Sequence, residues 1–238
     1  MKKRKINTPV IAIDGPAGAG STTVTAAIGE ELGFNTLYSG SLYRTVGALL
    51  MSDNNEVGRD DIPGITKLAK SLKQYLRFEG NRVLYDNEDI TEVLRDERIA
   101  VVASHVAKIA SVRAELLDFQ LSQRKNSGLV AEGRNMCWIF KDELGPVLRI
   151  FLTATAEARA RRRCMQLRAA GEENSFSHYG VTLRAIRERD TLDEKRTISP
   201  LAKHPEAILI DSTHLSAFQV SSTIISYFHQ TVNRQAKP

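Results

Sequence analysis

Short apolar runs alternate with amphipathic stretches along most of this chain. "PVIAID", residues 9–14, is a β-rich apolar run that stops at Gly15-Pro16, which predicts a buried strand. "TTVTAAIGEELG" follows with apolar residues at helical spacing and closes on Gly33, a position suited to a helix C-cap. "NTLYSG" predicts a second strand and "SLYRTVGALLMS" a second helix. "GLVAEG", "VLRIFLTA" and "AILIDS" predict three more buried strands, separated by helical stretches at Glu157–Ala169, Val181–Asp190 and Leu215–Gln230. Strands alternating with helices imply an α/β fold: a five-stranded parallel sheet wrapped by helices on both faces.

The pattern changes between Asn54 and Glu92. "ITKLAKSLKQYL" is amphipathic, and "LRFEGNRVLYDNED" reads as two short strands around a Gly80-Asn81 turn, so a small inserted lobe is expected over about 54–95. The next stretch, "TEVLRDERIAVVASHVAKIASVRAELLDFQLSQRK", lacks Gly and Pro and predicts helix until "NSG". The polar "AAGEENSFSHYG" is the candidate for a mobile flap. These assignments give a basic tail at 1–8 and one domain at 9–238.

Composition narrows the class. Of 238 residues, 42% are hydrophobic and 26% charged, the balance of an ordinary globular protein. No apolar run reaches the 18 residues of a membrane span, so no membrane association is expected. "MKKRKINTPV" is basic but has no apolar core behind it, so it does not read as a secretory signal. Cys137 and Cys164 lack metal-ligand spacing and fit a reduced, cytoplasmic compartment. The net charge of +5 is concentrated in "RARRRCMQLR" and "LRAIRERD", and no nucleic-acid-binding motif accompanies it. A basic face that grips small phosphates explains the charge, and no nucleic-acid partner is expected. His105, His178, His204, His214 and His229 show no ligand spacing, and Trp138 reads as packing.

The candidate chemistry begins with Gly15, Pro16, Ala17, Gly18, Ala19 and Gly20, between the first strand and the first helix. A glycine loop at this place aims backbone N–H groups at one point, and the helix N-terminus adds about half a positive charge. Gly15, Gly20 and Thr22 fit the spacing G-x-x-x-x-G-K-[ST], with Thr22 as a candidate Mg²⁺ ligand and Thr23 as a second hydroxyl. Ser21 stands where that pattern has lysine. Losing one preorganised cationic donor costs about 10²–10³ in rate, while the backbone cradle for phosphate does not need it.

Seven pieces in order, "IAIDGPAGAGSTT", "LYSGSLYR", "VASHVAKIASVRAELL", "GLVAEGRNM", "IFLTATAEARARRR", "IRERDTLDEKRTISPL" and "LIDST", resemble the bacterial cytidylate kinases. The resemblance runs from about Pro9 to the C-terminus. It implies a P-loop nucleoside monophosphate kinase fold, with the insert binding the acceptor and a lid at about 157–180. The implied reaction moves the γ-phosphoryl of ATP, with Mg²⁺, to CMP or dCMP. It implies ATP contacts from Gly15 to Thr23, and acceptor contacts from Ser39, Arg44, Ser104, Arg113, Arg134, Asn135, Arg189 and Asp193. Ser104 and Arg113 match the positions that read the base. Arg189, Asp193 and Arg196 stand at i, i+4 and i+7, one face if helical. Arg162, beside Arg159 and Arg163 on the implied lid, is the candidate to offset the missing lysine, with Arg189 and Arg196 as further catalytic cations. The resemblance also implies a monomer. Several positions depart from the pattern: Ser21 for lysine, Tyr38, Asn135 and Thr153 for acidic residues, Cys137 for glycine and Glu132 for aspartate. They leave open a non-catalytic nucleotide-binding protein, or a kinase of altered acceptor specificity.

Overall fold

A computed structural model describes residues 8–52, 56–80, 82–125, 127–169, 171 and 178–235. The basic tail up to residue 7, Asn81 of the expected turn and most of the polar "AAGEENSFSHYG" flap lie outside these residues. The main sheet has five parallel strands. β1 (Val10–Asp14), β2 (Asn35–Tyr38), β6 (Leu129–Gly133), β7 (Val147–Thr153) and β8 (Ile208–Asp211) stand in the order β2-β6-β1-β7-β8. β1 is central, with Val10 opposite both Leu129 and Val147. Its continuous apolar sequence reflects burial on both faces. Val10 and Ala12 enter one core with Leu37, Leu129 and Ala131, and Ile11 and Ile13 enter the other with Val130 and Ile150.

The second core is closed by α1 (Ser21–Leu32) and α9 (Ala217–Gln235), through Val24, Ile28, Val220 and Ile224. The first is closed by α2 (Ser39–Met51), α3 (Ile62–Tyr75), α4 (Glu97–Val106) and α5 (Ala110–Ser122), with Leu42, Leu72, Val106 and Leu116 inside. A second, antiparallel sheet joins β3 (Leu76–Glu79), β4 (Arg82–Tyr85) and the two-residue β5 (Glu88–Asp89). Its third strand is too short to leave a periodic signal.

Several boundaries differ from the sequence pattern. The expected strand "NTLYSG" ends at Tyr38, and Ser39 and Gly40 already belong to α2. The long helical stretch opens as a 3-10 turn at Val93–Arg95, starts its first α-helix only at Glu97, and breaks again at Ala107–Ile109, where Lys108 N–H bonds His105 O and Ile109 N–H bonds Val106 O. These tight turns need neither Gly nor Pro, and they let Ile109 and Val112 rejoin the core. α8 runs over Tyr179–Lys195, longer than expected and without a buried residue. It is held to α7 (Ala156–Ala169) by a bidentate ion pair in which Arg159 Nη1 and Nη2 lie 2.8 and 2.6 Å from the two Asp190 oxygens. No described helix is long and apolar enough to cross a membrane.

Candidate active site

The loop Gly15–Gly20 leaves the end of β1 with its amides ahead of α1. The first helical bond runs from Val24 N–H to Gly20 O, so the amides of Ser21, Thr22 and Thr23 precede the ladder. Gly18 and Gly20 have φ of 80° and 99°, the left-handed region that glycine enters without steric cost. Two loop carbonyls are taken up by α7: Arg159 Nη1 donates to Ala17 O at 3.2 Å and Arg162 Nη1 to Ala19 O at 3.1 Å. Arg162 also donates to the Ser212 hydroxyl at 3.1 Å and to the Ser212 carbonyl, and the Ser212 hydroxyl returns a 2.8 Å bond to Ala19 O. The sequence-predicted substitute for lysine is thus bonded to the loop carbonyl of Ala19 and to Ser212.

Two buried carboxylates lie under the loop. Asp14 accepts from Met136 N–H at 2.7 Å and Cys137 N–H at 3.0 Å, tying β1 to α6 (Met136–Ile139). Burial pushes its carboxyl up, opposed by those two amides and by Arg134. Glu132, on β6, accepts the Ser21 hydroxyl. Burial also pushes Glu132 up, opposed first by Ser21 and then by Arg134. Thr22, exposed at the start of α1, is a lesser influence that also lowers the pKa of this carboxylate. Beside Glu132 on the neighbouring strand, Tyr38 is buried and its phenol OH has no partner.

Arg134 joins the loop to a cluster of arginines. It follows Gly133, whose carbonyl accepts Gly15 N–H at 3.3 Å, and its Nε donates to Asp193 Oδ2 at 2.8 Å. Ser39 lies against the same turn, its hydroxyl 2.2 Å from where a Cβ on Gly133 would be. Arg196 reaches Asp193 Oδ1 at 3.7 Å and also donates to Ser199 O. α8 ends at Lys195, so the shared helical face stops short of Arg196, which is extended at φ −64°, ψ 140°. Its side chain still meets Asp193 from beyond the helix end. Arg44 donates to Leu94 O at 2.5 Å.

The cations are not neutralised among themselves. Burial lowers the pKa of Arg44, Arg189 and Arg196; Arg189 further depresses Arg44, Arg134 further depresses Arg189, and Arg113 further depresses Arg196. Glu97 opposes the shift at Arg44, and Asp193 those at Arg189 and Arg196, yet the net direction is down; arginine keeps its proton in a protein, so an entering anion would relieve the crowding of charge. Arg189 Nε and Arg196 Nη2 are buried without a partner. Buried donors of this kind are normally satisfied.

Ser104 and Arg113 lie on α4 and α5, where Ser104 Oγ bonds Ala100 O at 3.0 Å and Arg113 Nη1 bonds Ala107 O at 3.3 Å. Arg113 also lies over the Tyr43 ring, 5.6 Å from its centroid. Burial pushes the Tyr43 phenol up, against Arg113 and Arg196. Tyr43 connects these helices to the cluster, and it was missed although it precedes Arg44 in "LYSGSLYR". Asn135 is half-buried between Arg134 and α6. Arg163 pairs with Glu97 at 2.5 Å, linking α7 to the start of α4.

The remaining candidates are structural. Trp138 packs edge-on against His204 with ring centroids 4.4 Å apart. Cys137 is buried with Sγ 3.5 Å from the Ala12 and Ile150 carbonyls, and burial pushes its thiol well above the ordinary range. Cys164 is fully buried. Neither thiol is therefore expected to react with a maleimide in the native protein, whereas both label in denaturant. Mass spectrometry of the two samples checks this, and native labelling at Cys137 would show an opening that the fold does not display.

The description "Cytidylate kinase" belongs to the family whose model matches residues 11–230. A cytidylate kinase of Pseudomonas paraeruginosa is 40% identical over 227 residues, covering 93% of this chain and 96% of its own. Those of Stutzerimonas stutzeri and Pseudomonas syringae are also 40% identical, covering 92% and 93% of this chain and 94% and 96% of theirs. With its glycine loop on a five-stranded parallel sheet, the chain belongs to the cytidylate kinase family.

Proposed function

We propose that this chain transfers the γ-phosphoryl group of ATP to CMP or dCMP. The observation that carries the reading is the arginine cluster joined to the glycine loop through Arg134, with two buried guanidinium donors unsatisfied. Two phosphate groups repel each other, and the site must hold them in line and neutralise them. The acceptor oxygen is already anionic, so no strong general base is needed.

The amides of Gly18 to Thr23 hold the ATP phosphates, with Gly15, Pro16 and Ala17 shaping the turn. Arg44, Arg134, Arg189 and Arg196 hold the acceptor phosphate, each fork suited to bidentate contact with its oxygens. Asp193 keeps Arg134 and Arg196 in place and reaches the sugar. Ser39 borders this phosphate site, while Ser104, Arg113 and Asn135 face the base. Thr22 offers a hydroxyl oxygen near the Glu132 carboxylate, a hard-donor setting that suits Mg²⁺. Bound there, the ion would supply positive charge to offset that of the transferring phosphoryl group. α7 and the segment after it serve as the lid, and the lobe of α3 and β3–β5 as the acceptor side.

Two further expectations belong to this reading. The protein acts as a monomer, and Asn135 in place of an acidic residue weakens its preference for cytosine. ADP formation from Mg-ATP with CMP, dCMP and UMP tests the assignment. CMP and dCMP are expected to drive turnover and UMP to drive less. Nucleotide binding without any CMP-dependent ADP would instead favour the non-catalytic reading that Ser21 leaves open.

A further inference from the structure

A side-chain contact across 111 residues fastens the start of α1 to the sheet: the Ser21 hydroxyl donates to Glu132 Oε2. Ser21 occupies the position at which the phosphate-loop pattern has lysine. The nearby arginines of α7 do not enter that position. Arg159 is committed to Asp190 and Ala17 O, and Arg162 to Ser212 and Ala19 O. The space beside Ser21 holds the carboxylate of Glu132, 8% exposed on a central strand.

The start of α1 needs an anchor. Its N-cap is Gly20, in the left-handed region and without a side-chain cap. Gly20 and Gly18 bring the largest loss of conformational freedom when the loop is ordered. The preceding turn is closed by Ala19 N–H to Pro16 O at a long 3.4 Å. A hydrogen bond from the first helical side chain to a rigid strand would remove that disorder before any ligand arrives, which raises affinity by preorganisation.

We propose that Ser21 and Glu132 form a positioning pair that holds the first turn of α1 ready for the ATP phosphates, supplying order where lysine would supply charge. Glutamate suits this task because its extra methylene lets a carboxylate on β6 reach a side chain as short as serine. The proposal adopts the kinase reading for which nucleotide the loop binds, but it is tested on binding.

The experiment is calorimetric titration of Mg-ATP into the native chain, Ser21→Ala, Ser21→Thr, Glu132→Asp and the Ser21→Ala/Glu132→Asp double variant. The KM for CMP is measured alongside. Ser21→Ala is expected to weaken ATP binding about ten-fold and to leave the KM for CMP within two-fold. Ser21→Thr, which keeps the hydroxyl, binds ATP within about two-fold of the native chain. Glu132→Asp weakens binding like Ser21→Ala, and the double variant is no weaker than either alone, the mark of two groups acting as one. Native ATP affinity in Ser21→Ala, or full additivity in the double variant, overturns the pair. So does failure of threonine to restore binding. If the native chain binds ATP but turns over no CMP, the proposed function fails. The pair then stands or falls on the ATP titrations alone.

Discussion

Arg189→Ala is expected to lower kcat/KM for CMP by about 10²–10³-fold, the cost of one preorganised donor aimed at developing charge. The burial of Arg189 is unfavourable on its own terms, since its Nε has no partner and Arg134 repels it. A cation kept under such strain by fold-building forces alone would be out of place. Removing it should therefore leave thermal stability unchanged or slightly raised while activity collapses, as happens where a site is kept at a cost to the fold. Arg189→Lys keeps the charge but loses the planar fork, so partial recovery is expected. Steady-state kinetics at saturating ATP together with melting curves decide the matter. A change below about three-fold with normal melting would remove Arg189 from the acceptor site.

Gly15→Ala should abolish ATP binding by a different route. A Cβ at Gly15 would lie 2.0 Å from the Leu152 carbonyl oxygen, which belongs to the backbone of β7. β7 cannot withdraw easily, because Asp14 is in register with Phe151 just before the glycine and Thr153 with Asp211 just after Leu152. The loop must move instead, and its amides lose their common focus. Overpacking of this kind costs about 3 kcal/mol, which for a chain of this size lowers Tm by roughly 6–12 °C. Gly180→Ala is the control, since nothing lies within 4 Å of its added Cβ. Its Tm should hold or rise slightly, because alanine favours helix. Intact ATP binding in Gly15→Ala would mean that the β1–β7 ladder yields more than its register suggests.

Much of this was legible in the sequence because its signals are local. Five apolar runs became five strands, since a buried parallel strand needs an unbroken apolar stretch. The loop from Gly15 to Gly20 announced itself by glycine spacing, and the arginines by their order in the motifs. The less legible features depend on distant partners. That Ser21 meets Glu132, or that Arg162 turns to Ser212, requires knowing that β1 lies between β6 and β7. The break at Ala107 carries no Gly or Pro, because core packing of Ile109 and Val112 makes it. Nor could helical spacing show where α8 ends: it runs to Lys195, past the expected Asp190 and one residue short of Arg196.

The central position of β1 also bears on how the protein is made. β1 is the first strand of the main sheet to be translated, yet its neighbours begin only at Leu129 and Val147. At ribosomal rates of 5–20 residues per second, its four apolar residues wait about 6–24 s for the first of them. Throughout that interval the glycine loop has no β7 carbonyl against which to close and no Glu132 to hold Ser21. Bound nucleotide is therefore not expected to guide the nascent chain at this stage, and the apolar strand stays exposed until its neighbours are made. The grip on phosphate is encoded near the beginning and takes shape only after most of the chain has emerged.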